Sequence, residues 1–130
     1  MNVKTFGIDQ LLMLHSFVLA NTGGGDGVRD IGRLEAALAT QTQEVFGTEL
    51  YPELYNKAGA IIRGIIADHP FIDGNKRTAM LAGLTLMKVN GLTLRASNQE
   101  LEDFAVQVAV EHLGVEEISE WLKKHVEVNV

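Results

Sequence analysis

The sequence predicts an all-α fold, a compact bundle of about six helices in which a motif-bearing loop joins the two central helices. Three observations predict it. Apolar residues recur at helical spacing along most of the chain, and the breaks between these stretches carry helix-stop and helix-start residues. The one extended-looking stretch, Leu92-Thr93-Leu94, is short. At 130 residues the chain reads as one domain over 1–130, and 46% hydrophobic with 22% charged residues supplies a single core and argues against disorder.

Each helix follows from local signals. Leu11, Leu12, Leu14, His15 and Val18 recur at helical spacing behind Asp9, the expected N-cap, and this first helix should end near Asn21. Thr22 to Gly27 holds four glycines and must be a loop, compatible with a lid over a site or with a plain connector. Asp30 caps a second helix through Leu34 and Leu38, with Val45 as its outer limit, and Gly47 to Pro52 is the next break. The third helix, Glu53 to Asp68, is apolar on most faces and should be the buried centre. A fourth, from about Asn75 to Val89, is expected to bury Leu81, Leu84 and Met87 and to stop at Asn90-Gly91. Ser97-Asn98-Gln99-Glu100 is a capping-box pattern opening a fifth helix with Leu101, Phe104, Ala105 and Val108 inward. A sixth, from about Val115 to Val126, carries Ile118, Trp121 and Leu122.

Composition narrows the function. A net charge of −6 opposes broad nucleic-acid binding, because neutralising phosphates needs a basic surface, so no direct DNA binding is expected. The absence of cysteine excludes a disulfide framework and thiolate metal sites, and is compatible with a reducing cytoplasm. No signal pattern or membrane-spanning apolar run is present, so a cytoplasmic protein with no membrane association is expected.

The ten residues His69-Pro70-Phe71-Ile72-Asp73-Gly74-Asn75-Lys76-Arg77-Thr78 concentrate the candidate chemistry. Pro70 disfavours αR geometry at His69, so the third helix should end there. Asp73-Gly74-Asn75 then turns the chain, and the next helix opens with its unpaired N–H groups beside two cations, an arrangement suited to phosphate. Taken singly, these are ordinary turn and solvated-face features. Their ordered combination is not something a structural turn requires. Phe71 is expected to point into the core and anchor the loop. His15, His112 and His125 lack metal-ligand spacing and read as surface or half-buried, and Arg63 reads as a snorkelling side chain.

This loop resembles the signature of the Fic/Doc superfamily, His-x-Phe-x-Asp/Glu-Gly-Asn-Gly/Lys-Arg. AMP-transferring Fic proteins usually carry glycine where this chain has Lys76 and a second arginine where it has Met80, so both positions look like Doc. Gly23-Gly24-Gly25 and the run from Arg29 to Leu38 also resemble the Doc N-terminal half, and the resemblance spans roughly residues 8 to 125. It implies a toxin paired with an antitoxin protein, transferring the γ-phosphate of ATP to a Ser/Thr hydroxyl of a protein, with elongation factor Tu as the implied target. In that chemistry His69 is the catalytic base, since an imidazole titrates near neutrality. Asp73 holds Mg²⁺, and the Gly74 and Asn75 amides, the Asn75 side chain, Lys76 and Arg77 bind the phosphates of ATP. The alternative within the superfamily is protein AMP transfer. A more distant one is a HEPN-type ribonuclease toxin, for which Arg63 and His69 have the required spacing. Fic-type enzymes can also be restrained by a helix carrying Ser/Thr-x-x-x-Glu-Gly/Asn. The nearest match, Thr40 to Glu44, is followed by Val45, which implies restraint by a separate chain.

Overall fold

A computed structural model describes residues 3–127 and contains six helices: α1 (Ile8–Thr22), α2 (Ile31–Ala39), α3 (Leu54–Asp68), α4 (Asn75–Val89), α5 (Asn98–Glu111) and α6 (Val115–Lys124). The all-α prediction holds, with one small addition. Between α2 and α3 the chain makes a hairpin of β1 (Glu44–Val45) and β2 (Thr48–Glu49), antiparallel and in register Glu44 with Glu49. Among the described residues no helix is long and apolar enough to cross a membrane.

Helix α3 is the centre, as its apolar composition predicts, and packs against α2, α4, α5 and α6. Ala58, Ile61, Ile62, Ile65 and Ile66 are buried. Close approach of α4 depends on Gly83, where a Cβ would stand 2.5 Å from Ile62 Cδ1. Lys57 is also buried, at 2% exposure, and its ammonium is satisfied by the Gln41 carbonyl at 2.6 Å and Glu49 Oε1 at 3.1 Å. A charge inside a core requires such partners, and these tie the hairpin to the central helix.

Four local expectations change. Asp9 is not the N-cap of α1: the helix starts at Ile8 behind Gly7, whose N–H donates to Gln10 Oε1 at 2.9 Å. Asp9 lies in the first turn, where a carboxylate favours the positive end of the helix dipole. Asp30 does cap α2, accepting from Arg33 N at 3.1 Å, but the helix stops at Ala39 and Val45 belongs to the hairpin. There Thr40 Oγ1 and Gln41 Nε2 donate to the Ala37 and Leu38 carbonyls and close the helix end. On α4 the buried face is Ala79, Met80, Ala82, Gly83, Leu86 and Met87, whereas Leu81 and Leu84 are only half-buried. Finally, α6 ends at Lys124, because Val126 bridges to Leu94 and the Thr93–Arg95 segment pairs with residues 125–127.

The Ser97 capping box forms as predicted. Ser97 Oγ accepts from Glu100 N, and Glu100 Oε1 accepts from Ser97 N, each at 3.1 Å. The Ser97 backbone N–H, then its hydroxyl, hold the Glu100 carboxyl below the ordinary glutamate range, and His125 adds to this when protonated. A lowered folded pKa stabilises above the unfolded value, and that contribution disappears as pH falls through the folded one. The difference in thermal midpoint between the unmodified protein and Glu100→Gln should therefore be present near neutrality and vanish below the carboxylate range. Parallel melts across pH check this.

Candidate functional site

The site begins where α3 ends. His69 leaves αR geometry, as Pro70 demands, but adopts the left-handed region (φ 48, ψ 57) rather than extended backbone. A non-glycine residue persists there only when its surroundings hold it. The holding group is Arg29: its guanidinium donates to the His69 carbonyl at 2.9 Å from Nε and 2.6 Å from Nη2, and to the Asp68 carbonyl at 2.9 Å. These are the carbonyls that the helix C-terminus leaves unpaired, and a cation suits that end of the dipole.

The strand-like segment carrying Arg29 runs along the motif loop. Arg29 N and Asp30 N donate to the Pro70 carbonyl at 2.7 and 3.0 Å, Ile72 N donates to the Gly27 carbonyl at 3.1 Å, and Val28 pairs antiparallel with Phe71. Phe71 is buried, as its expected anchoring role requires. Its ring lies flat on His15, with centroids 3.8 Å apart.

Asn75 faces inward as well. Its Oδ1 accepts from Phe71 N and its Nδ2 donates to the Phe71 carbonyl, each at 3.0 Å. Contrary to the expectation that it holds phosphate, the side chain is committed to shaping the loop, and what Asn75 presents to the cleft is its backbone amide at the start of α4. Gly74, the N-cap, is left-handed (φ 76), and no side chain caps α4. The first N–H groups of this helix are thus left without a side-chain acceptor at the loop.

Asp73 is held from two sides. Its carbonyl accepts from His15 Nε2 at 2.8 Å, and its Oδ2 accepts from Gly25 N at 2.8 Å. The glycine-rich segment thus lies over the loop, with Gly24 so near that a Cβ there would stand 3.3 Å from the Asp73 side chain.

His69, Asp73, Gly74, Asn75, Lys76 and Arg77 all line one open cleft of about 430 Å³, together with Gly23 and Gly24. Sequence reasoning named six residues and the fold brings the six together. Arg63 is exposed on α3 and does not line this cleft, so the spacing that suggested a ribonuclease pair is not a shared site. The Thr40 to Glu44 stretch leaves its helix and enters β1, so it does not form an inhibitory helix.

A second hollow of about 400 Å³ lies between α1, α4 and α5, with apolar walls from Phe17, Met80, Leu81, Leu84, Leu101 and Val106. Thr22, Lys76 and Arg77 line both spaces. On this side Arg77 pairs with Glu102 at 2.6 Å, both side chains about half exposed. Sequence reasoning assigns no role to three residues of this region, His15, Arg29 and Glu102, and His15, expected at the surface or half-buried, is instead buried. Arg29 and His15 act on backbone carbonyls far away in the chain, and no local signal announces such a contact. Arg29 appeared only inside the Doc-like stretch.

Among the described residues no group of three or more His, Cys, Asp or Glu side chains is arranged to hold a metal. Asp73 is instead a lone carboxylate whose Oδ1 accepts no hydrogen bond from the described residues, a donor that suits an ion arriving with phosphate oxygens.

Residues 5–87 match the model of the Fic/DOC family. A protein named Toxin Doc from Mycolicibacterium smegmatis is 37% identical over 99 residues, covering 75% of this chain and 76% of that protein. A protein named Protein kinase doc from Escherichia phage P1 is 28% identical over 116 residues, covering 89% of this chain and 90% of that protein.

Proposed function

The chain belongs to the Fic/Doc family, on its Doc branch, and from that premise we propose that it is a Doc-like toxin of a toxin–antitoxin pair. Its reaction on this reading is transfer of the γ-phosphate of ATP to a Ser/Thr hydroxyl of a cytoplasmic protein, with elongation factor Tu as the target, so that translation stops. The observation that carries it is the single cleft in which His69, an uncapped helix N-terminus, two cations and one carboxylate meet.

Phosphoryl transfer asks a protein mainly for positioning and charge stabilisation. The His69 imidazole accepts the proton of the incoming hydroxyl. The hydroxyl oxygen bonds to the γ-phosphorus as the bond to the β,γ-bridging oxygen breaks, and ADP leaves with that electron pair. The amides at the start of α4 and the Lys76 and Arg77 cations take up the phosphate charge. Asp73 would hold Mg²⁺, which neutralises triphosphate charge when bound. Lys76, filling space that glycine leaves open in AMP-transferring Fic proteins, favours a seating of the triphosphate with its γ-phosphorus toward His69.

An antitoxin chain fits the apolar hollow between α1, α4 and α5. It has room for the apolar side chains of a docked segment and adjoins Lys76 and Arg77, so an occupant there would cover the phosphate clamp. The chain's own Thr40 to Glu44 stretch offers no such cover.

The test compares γ- and α-labelled ATP in a lysate containing the purified protein and Mg²⁺. Label from γ-labelled ATP alone is expected on a protein of translation-factor size, and Lys76→Gly should suppress it without gaining nucleotide transfer, because Met80 still lacks the second arginine. Label from α-labelled ATP would assign AMP transfer instead, and RNA cleavage in EDTA without ATP would assign a ribonuclease.

A further inference from the structure

We propose that His15 is a positioning residue for the motif loop: the Nε2–H it donates to the Asp73 carbonyl sets where Asp73 and the Gly74 turn stand in the cleft. The proposal rests on the functional reading above only for its consequence on ATP and Mg²⁺.

His15 lies at the middle of the buried stripe Leu11, His15, Val18 of α1 and is only 3% exposed. A buried helix stripe ordinarily carries an apolar side chain at such a position. What distinguishes histidine is the 2.8 Å contact from Nε2 to the Asp73 carbonyl, 58 residues away. A carbonyl oxygen has no hydrogen to give, so the bond requires Nε2 to carry one. His15 is the one donor to this carbonyl among the described residues.

Its surroundings leave the ring little freedom. One face stacks on Phe71 at 3.8 Å with an interplanar angle of 8°, and the Phe71 backbone is itself held on both sides by Asn75. The same stretch of α1 supports the next residue of the turn: a Cβ at Gly74 would lie 3.4 Å from Val18 Cγ1, 3.6 Å from Leu19 Cδ2 and 3.8 Å from His15 Cδ2. Helix α1 is thus a floor beneath Asp73-Gly74, with His15 as its polar contact.

Above the floor, Gly25 N holds the Asp73 carboxylate at 2.8 Å. That bond comes from a glycine-rich segment, whereas the His15 bond comes from the middle of a packed helix. The rigid partner therefore sets the loop height. In a site that works by positioning, a displacement of about 1 Å costs on the order of 10²-fold in rate.

The experiment uses the full chain, His15→Phe, which keeps an aromatic ring but no donor, and His15→Gln, whose amide nitrogen reaches a similar point. Imidazole ¹⁵N shifts of the unmodified protein should show hydrogen on Nε2. In His15→Phe the backbone amide shifts of Asp73, Gly74 and Asn75 should move. The Mg²⁺ midpoint for ATP binding in calorimetry should rise and transfer from γ-labelled ATP should fall about 10–10²-fold. His15→Gln should recover most of each change, a rescue that filling the core alone does not provide.

An Nε2 without hydrogen, unmoved loop amides in a folded His15→Phe, or a folded His15→Gln as defective as the phenylalanine variant overturns the proposal. If His15→Phe fails to fold in a thermal melt, the ¹⁵N shifts and the glutamine variant decide. If the unmodified protein binds no ATP with Mg²⁺, the functional reading fails, and the tautomer and loop amides still decide the role of His15.

Discussion

His69→Ala is expected to abolish growth arrest on induction and to lower phosphoryl transfer by about 10²–10⁴, the usual loss when a general base is removed. The fold should survive. His69 is exposed at the end of α3, outside the buried face of Ile61, Ile62, Ile65 and Ile66, and what Arg29 grips is its backbone carbonyl. Alanine keeps that carbonyl, and it meets the left-handed conformation with the same Cβ that histidine has. Induction of the variant alongside a thermal melt separates the two effects. Undiminished arrest from a normally folded variant would remove His69 from the reaction.

The second large effect is expected at Arg77. It lines both the phosphate cleft and the neighbouring apolar hollow, at the opening of a helix that no side chain caps. Removing one preorganised group that stabilises developing charge typically costs about 10²–10³ in kcat. Arg77→Ala should lose that much in transfer from γ-labelled ATP. The ion pair with Glu102 supplies the control. Both partners are about half exposed, and a pair so screened contributes roughly 1 kcal/mol or less to stability. Glu102→Gln should therefore melt close to the unmodified protein and keep its clamp, so the loss in Arg77→Ala is not a loss of the pair. Equal transfer by Arg77→Ala and the unmodified protein would take the guanidinium out of the clamp.

The helices were legible because their signals are local. Ser97 and Glu100 close a box across three residues, Asp30 caps its own helix, and the run of isoleucines in α3 announces burial whatever packs on it. The motif loop was legible for the same reason, with its histidine, carboxylate, glycine and cations inside ten residues. Periodicity was less informative where a helix is covered unevenly. In α4 the small residue Gly83 meets α3, where the backbones approach closely, Ala79 and Ala82 are buried with it, and Leu81 and Leu84 turn to the half-open hollow. Hydrophobicity alone ranks leucine above glycine for burial and so misplaces Leu81 and Leu84, while Met87 is buried as expected.

Chain order and side-chain identity thus determined the six helices, the break at His69-Pro70 and the six motif residues that line the cleft. Tertiary structure alone decided how that loop is held: Arg29 on the carbonyls of Asp68 and His69, His15 on the carbonyl of Asp73, and Gly25 on its carboxylate. Three of these four acceptors are backbone carbonyls, which every residue carries alike, and their donors lie 39 to 58 residues away. A contact of that kind leaves no mark on the local pattern, because only packing α1 and the Gly27–Asp30 segment against the α3–α4 junction brings donor and acceptor within reach.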